Sequence, residues 1–375
     1  MTDPRLSFRH AIAIASALLL AACSSGSITE NNPPPPPPPV SITDTLAPIS
    51  ALGSRWTELP SSPVNDNGHF QDAWFINDLE GWVVAINGAV HHTKDGGTTW
   101  EQLRPSNSTG AAFFRSVTFV SPTLGWVGDL NHFNSPVPDR SLWETRDGGK
   151  TFENISTRIS GPAPTGICGL WSVDASTIFG VGRWSGPAVF VRSNDGGATW
   201  QSTSLAPMMT GAVDVYFFDR QRGVIAGARG VGNSPAQQVS SRVVIATTSD
   251  GGATWTERFV GSKTGYWSWK ISFPSPTVGY IATQGPAEDM IVLKTTDGGI
   301  TWREIELGVK DAGWGSAFIS PTTGWITAER AAYETTDGGA SWKRSPWPKG
   351  QSINRIRLLP SGRGYGTGTR IFAFQ

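Results

Sequence analysis

The sequence predicts an all-β protein: a seven-bladed β-propeller of four-stranded antiparallel blades, its ring closed by the chain's own N-terminal strand. Three observations carry this expectation. An Asp-Gly-Gly string recurs six times, a second pattern ending in Gly-aromatic recurs seven times, and a short segment near residue 55 supplies the strand that the seventh unit lacks. Self-similarity at roughly 40–50 residues, with about four short strands per unit, is how propeller blades read in sequence.

The first string runs Thr93 to Trp100, Thr145 to Phe152, Ser193 to Trp200, Thr248 to Trp255, Thr295 to Trp302 and Thr335 to Trp342. Its acids are Asp95, Asp147, Asp195, Asp250, Asp297 and Asp337, spaced 52, 48, 55, 47 and 40 residues apart. A carboxylate that accepts backbone N–H groups, two glycines free to take φ > 0 and a Thr or Ser hydroxyl make a tight turn. Six copies at one place in a repeat therefore read as the turn between third and fourth strands, with the following Trp free to pack between blades. They do not read as six active sites.

The second pattern places an apolar residue before each turn and Gly-aromatic after it. It appears as Phe75…Gly81-Trp82, Phe119…Gly125-Trp126, Phe217…Gly223-Val224, Phe273…Gly279-Tyr280 and Phe318…Gly324-Trp325, with a looser form at Val173…Phe179-Gly180. A seventh copy, Leu358…Gly364-Tyr365, has no Asp-Gly-Gly after it, and the sequence given runs on only to Gln375. Arg55-Trp56-Thr57-Glu58-Leu59 matches the residues that come after each Asp-Gly-Gly string, such as Trp100-Glu101-Gln102-Leu103. It is therefore expected to be the outer strand of the seventh blade. Residues 53–375 then form the propeller, and closing the ring removes an exposed sheet edge.

Upstream, residues 1–22 read as a signal peptide: Arg5 and Arg9 precede an apolar run too short to span a bilayer as a mature helix. Leu20-Ala21-Ala22-Cys23 resembles a bacterial lipobox, and the resemblance implies cleavage before Cys23 and lipidation of that residue. Residues 23–52 are the linker, in which Pro33 to Pro39 favour a stiff polyproline helix. The expected location is the bacterial cell envelope, anchored by lipid to the inner or outer membrane and facing the periplasm. Cys168 is the only other cysteine, so with Cys23 lipidated no disulfide within the chain is possible. Cys168 reads as a small buried hydrophobe.

Thirty basic and thirty acidic residues give no excess with which to neutralise phosphates, which argues against a nucleic-acid partner. His91 and His92 adjoin on a strand, where neighbours point to opposite faces, so no metal is expected. No cofactor is expected either. In a four-stranded blade the Asp-Gly-Gly turns share a face with the first-to-second turns. The opposite face gathers the second-to-third loops, which lengthen at Asp129–Arg140, Arg183–Pro187, Ala228–Ser241 and Gln284–Met290. Binding residues are expected on this loop-rich face: Arg115, Trp171, Asp214, Lys270, Trp314 and Arg355 where the inner strands begin, and Arg183 in the blade-three loop.

The Asp-Gly-Gly strings are those of the BNR or Asp-box repeats best known from sialidases. The catalytic arginine triad, Tyr nucleophile and Phe-Arg-Ile-Pro strand of that family are not matched here; Phe114-Arg115-Ser116-Val117 is only an echo. Inverting glycosidases of the tandem-propeller type need two opposed carboxylates, for which Asp72, Asp214 and Asp311 are the candidates. Sortilin-type receptors carry more blades and a cysteine-rich module. The unit "SVTFVSPTLGWVG…WETRDGGKTF", echoed in "KISFPSPTVGYIA…LKTTDGGITW", resembles instead the photosystem II assembly and stability factors, over nearly all of residues 53–375. That resemblance implies a non-enzymatic scaffold that binds a membrane-protein partner, with a basic patch taking part; the protein is expected to be a monomer. The alternative is a carbohydrate-active propeller in which Trp171, Trp184, Trp267 and Trp314 stack on sugars.

Overall fold

The computed structural model describes residues 55–65, 69–104, 112–130, 140–230, 239–286, 289–345 and 352–374. The signal peptide, Cys23, the proline run and parts of the long loops of blades two, four and five lie outside the described residues. Seven antiparallel sheets succeed one another along the chain. Their innermost strands are Phe70–Phe75, Phe114–Phe119, Gly169–Ser172, Gly211–Phe217, Trp267–Ser272, Gly313–Phe318 and Ile353–Leu358. Each packs on the innermost strands of the blades before and after it, and the last packs on the first, so the ring is closed.

Closure is as expected from the sequence. Trp56–Glu58 pairs antiparallel with the third strand of blade seven, Trp56 opposite Phe374 and Glu58 opposite Phe372. Trp56 is buried and stands edge-on to Trp325 of blade six, with 5.5 Å between ring centroids. Blade three departs from the expected four strands: Ile159–Ser160 adds a short outer strand parallel to Trp200–Gln201.

The Gly-aromatic column has a packing cause. A Cβ on Gly81 would lie 2.3 Å from the Phe75 ring, and Gly125, Gly223, Gly279 and Gly324 are crowded in the same way by the Phe of their own inner strands. The missing side chain lets that Phe ring lie over the second strand. In four blades the aromatic at the next position then stacks on the Phe of the following blade: Trp82 on Phe119 at 3.7 Å, Phe179 (after Ile178) on Phe217 at 3.6 Å, Tyr280 on Phe318 at 3.5 Å and, across the closure, Tyr365 on Phe75 at 3.7 Å. In four blades the Asp-box Trp stands edge-on to the column Phe of its own blade: Trp100 to Phe75, Trp255 to Phe217, Trp302 to Phe273 and Trp342 to Phe318. Inter-blade packing therefore rests first on the column aromatic, with the box Trp as its second wall.

Candidate functional site

Every box repeats one hydrogen-bond set. Around Asp297, Thr295 Oγ1 and the Thr301 N–H donate to Oδ1 at 2.8 and 2.9 Å, Thr301 Oγ1 donates to Oδ2 at 2.5 Å, and Gly299 N–H donates to Thr295 Oγ1 at 3.0 Å. Gly298 and Gly299 take φ of +76° and +93°, open to glycine at little cost. Asp95, Asp147, Asp195, Asp250 and Asp337 have the same partners. Hydrogen bonds from Thr151 and Thr254 pull the Asp147 and Asp250 carboxyls down to about 2. The boxes also hold neighbouring blades, since Trp82 Nε1 donates to Gly148 O at 2.8 Å and Lys294 Nζ to Gly338 O at 2.7 Å.

The unusual chemistry lies inside the ring. Six innermost strands carry a β-bulge where they pair with the second strand, at Phe70/Asp72, Phe114/Ser116, Ala212/Asp214, Ser268/Ile271, Gly313/Gly315 and Ile353/Arg355. A bulge inserts an extra residue and re-aims its neighbours. Register then aligns one residue per blade in a layer across the channel: Asp72, Ser116, Gly169, Asp214, Lys270, Gly315 and Arg355. Gly169 fits closely against its neighbour, since a Cβ there would lie 3.1 Å from Asp214 Oδ1 and 3.0 Å from Val213 O.

Arg355 spans this layer. From blade seven it reaches blade four, with Nη1 and Nη2 donating to Asp214 at 2.7 and 3.1 Å, while Nε donates to Asp72 of blade one at 3.2 Å. Two residues along the same strand, Arg357 donates through Nε and Nη2 to Asp72 at 3.2 and 3.0 Å and lies over the Trp74 and Trp171 rings. Lys270 Nζ stands 3.7 Å from Asp214 Oδ1 and makes no hydrogen bond. Arg115 bonds Gln71 and lies over Trp269, 5.0 Å from its centroid. Asp72, Asp214, Lys270 and Arg355 are all buried, at 0%, 1%, 0% and 3% exposure.

Burial alone would raise the Asp72 and Asp214 carboxyls, but the facing arginines and Lys270 outweigh it and hold both below the usual carboxylate range. Burial lowers Arg355 as well, and the two carboxylates more than offset it. Lys270 receives less compensation, and burial brings it down to about 7. Asp311 is separate from this network: burial raises it, and its oxygens accept from Tyr333 Oη and the N–H groups of Ala312 and Arg330.

Several expected binding residues thus lie deeper than a surface site. Arg115, Asp214, Lys270 and Arg355 come together beneath the mouth, because the bulges turn them to the axis. Arg183 is buried, with Nε donating to Ser185 Oγ at 2.9 Å. Trp171, expected at the loop-rich mouth, sits instead toward the Asp-box end, level with Trp74. The turn of blade three closes as the others do, Val173 N–H to Thr177 O like Ile76 N–H to Glu80 O, and Trp171 pairs with Phe179 as Trp74 does with Trp82. Ser172 and Ile178 therefore hold the places of Phe75 and Gly81, and the column expected at Val173…Phe179-Gly180 is one residue out of register. Trp314 does lie at the mouth, half-buried and edge-on to His69. Beside it are the half-buried Trp184 and Trp267, stacked at 6.0 Å and 19°. Cys168 is buried and its thiol pushed up, which makes it a poor nucleophile. His91 is buried against Phe70, while His92 stacks on Trp82 and bonds Glu80 at 3.1 Å. Among the described residues, no group of three or more His, Cys, Asp or Glu is placed to hold a metal.

Residues 234–357 match the family model of the photosynthesis system II assembly factor YCF48. A stretch of 58 residues is 34% identical to the photosystem II assembly protein Ycf48 of Synechococcus sp. (strain JA-3-3Ab), covering 16% of this chain and 17% of that protein. The propeller is similar to the photosystem II assembly factors. A solved structure of YCF48 bound to D1 peptide superposes with a TM-score of 0.60 at 17% identity, over 85% of this chain and 95% of that one. YCF48 from Cyanidioschyzon merolae gives 0.61 at 19% identity, over 85% and 98%. The GH74 xyloglucanase from Xanthomonas campestris gives 0.58 at 15%, over 85% of this chain and 53% of the enzyme. These structural likenesses establish a shared fold.

Proposed function

We propose that this protein is a non-enzymatic assembly factor, anchored to a membrane through Cys23, that binds a segment of a protein partner across its loop-rich face. The observation that carries the reading is the fate of the channel carboxylates. An inverting glycosidase needs an acid and a base separated by about 6.5–9.5 Å, with substrate and water between them. Here the space between Asp72 and Asp214 holds the Arg355 guanidinium, and arginines hold both acids ionised. Neither can donate a proton near neutral pH.

The mouth above this plug offers Trp184, Trp267 and Trp314, the amphipathic aromatic type that dominates binding energy at protein interfaces. Similarity to the assembly factors, one of which is known bound to a D1 peptide, makes an extended peptide of a membrane protein the favoured ligand class. Surface immobilisation of the propeller and titration with a D1 peptide tests this. Saturable binding weakened about tenfold by Trp267→Ala, and not by Lys343→Ala on the outer strand of blade six, supports the reading. Binding that ignores Trp184, Trp267 and Trp314 counts against this face. Sugar stacking on the Trp184–Trp267 pair is the second reading, and a glycan array with a hydrolysis assay separates the two. Glycan turnover lost in Asp214→Asn would overturn the non-enzymatic reading. The anchor is tested by metabolic labelling with an alkynyl fatty acid, with incorporation expected in the natural chain and absent in Cys23→Ala.

A further inference from the structure

The channel holds more positive than negative charge. Arg115, Lys270, Arg355 and Arg357 all face it, and the acids that face them are Asp72 and Asp214. Among the described residues, the Cys168 thiol, which burial keeps protonated, and Arg183 beyond it are further titratable neighbours. Arg355 and Arg357 use the carboxylates almost fully, since Asp214 takes two bonds from Arg355 and Asp72 takes bonds from both arginines. Asp72 also accepts from the Ala73 and Val117 N–H groups, and Asp214 from Ile271 N–H.

Two cations are left without adequate compensation. Arg115 has only the Gln71 carbonyl oxygen and the face of Trp269. The Lys270 ammonium has three N–H donors, no hydrogen-bond partner, and Asp214 no nearer than 3.7 Å. Trp269 Nε1, a donor only, cannot serve it, and donates to Gln284 at 2.9 Å. The Ser116 hydroxyl, in the same layer, is likewise buried and makes no hydrogen bond. A buried ammonium with unused donors beside an undercompensated guanidinium carries a large desolvation cost unless a counter-charge joins it.

We infer that the Lys270 ammonium and the Ser116 hydroxyl of the channel layer, with Arg115 one residue before it on the Gln71 and Trp269 side, form a binding site for one small inorganic anion, held as a structural counter-ion. Size is set by the lining. Arg355 closes the layer across its width, and Arg115 and Lys270 are 8% and 0% exposed, so a bulky oxyanion has no open approach. The sign is set by four cationic side chains facing two carboxylates, and a bound anion holds Lys270, which burial brings down to about 7, in its charged form. Chloride is the simplest anion of this charge, and by binding it stabilises the folded state by mass action. This inference is independent of the peptide-binding reading, because it concerns the propeller without a partner.

The experiment is thermal unfolding of the propeller in sodium chloride against sodium gluconate at equal ionic strength and pH 7. Gluconate is too large for the layer, so the expected result is a Tm several degrees higher in chloride, saturating with concentration. Bromide is expected to substitute, and anomalous diffraction from bromide-soaked crystals should place it beside Lys270 Nζ. The Lys270→Met variant should lose the chloride dependence while keeping a cooperative transition. If that variant does not fold, Arg115→Met provides the same comparison, and the natural chain alone still decides the question. Identical Tm in chloride and gluconate, or a chloride response unchanged in both variants, would overturn the site.

Discussion

Arg355 is the residue on which the channel depends. It links blades one, four and seven through two carboxylates, and removing one partner of a buried, hydrogen-bonded charge network strands the others. Arg355→Met is therefore expected to destabilise the propeller by about 3–5 kcal/mol, read as a lower urea midpoint at unchanged m-value. A loss below about 1 kcal/mol would show that the network is not structural. Lys270 adds a pH signature. Its folded pKa lies below its unfolded value, so the unfolded chain binds the extra proton between about 7 and the ordinary lysine range. Stability then rises with pH across that window. In chloride-free buffer, unfolding free energy should climb from pH 7 to pH 9 and the climb should vanish in Lys270→Met. Asp72 and Asp214 act in the opposite region: both are depressed, so their contribution is present above the ordinary carboxylate range and lost as pH falls through their folded values.

At the scale of the strand and turn, the Asp box is a device for holding a loop at two glycines of positive φ. Asp297→Ala removes three to four hydrogen bonds at a half-buried turn and is expected to cost about 1–2 kcal/mol, the range of a lost helix cap. Thr301→Val, which deletes only the Oγ1 bond to Oδ2, should cost less than half as much. Chemical denaturation of the two variants ranks them, and equal losses would mean that Oδ1 contributes nothing. The turns and the Gly-aromatic column are legible in the sequence because both are local: a positive φ, or a ring lying over a glycine, demands a particular residue at a fixed offset. The inner strands are legible only as strands. Arg115, Asp214, Lys270 and Arg355 stand out in sequence as polar residues entering those strands, yet their bulges and cross-channel partners depend on blades up to three repeats apart, which no local pattern reports. Arg357 and Trp74 escape the sequence reading altogether. Alternation could have pointed to both, since each lies two residues beyond a channel residue, Arg355 and Asp72, on the same face of its strand.

For the whole molecule, the ring is sealed by three residues. Trp56–Glu58 completes the seventh sheet and puts Trp56 between Trp325 and Phe374. Trp56→Ala is expected to cost about 3–5 kcal/mol, the usual loss on emptying a buried tryptophan site. Truncation to begin at Leu59 should go further, exposing the edge of Ile371–Phe374 and promoting self-association, which sedimentation would detect. A truncated chain that stays monomeric with unchanged Tm would contradict the closure. The count of blades and the closing strand are both readable, because a missing Asp box at one end of the repeat array and an unmatched Trp-x-Glu-Leu at the other are complementary. The division of labour between faces comes from the same topology: boxes and column rings hold the ring together on one side, while the aromatic mouth is left on the other. Hydrogen exchange of the propeller with and without saturating D1 peptide tests that division most directly. Slowed exchange confined to the amides around Trp184, Trp267 and Trp314 is the expected result, and protection centred on the Asp-box turns would contradict it.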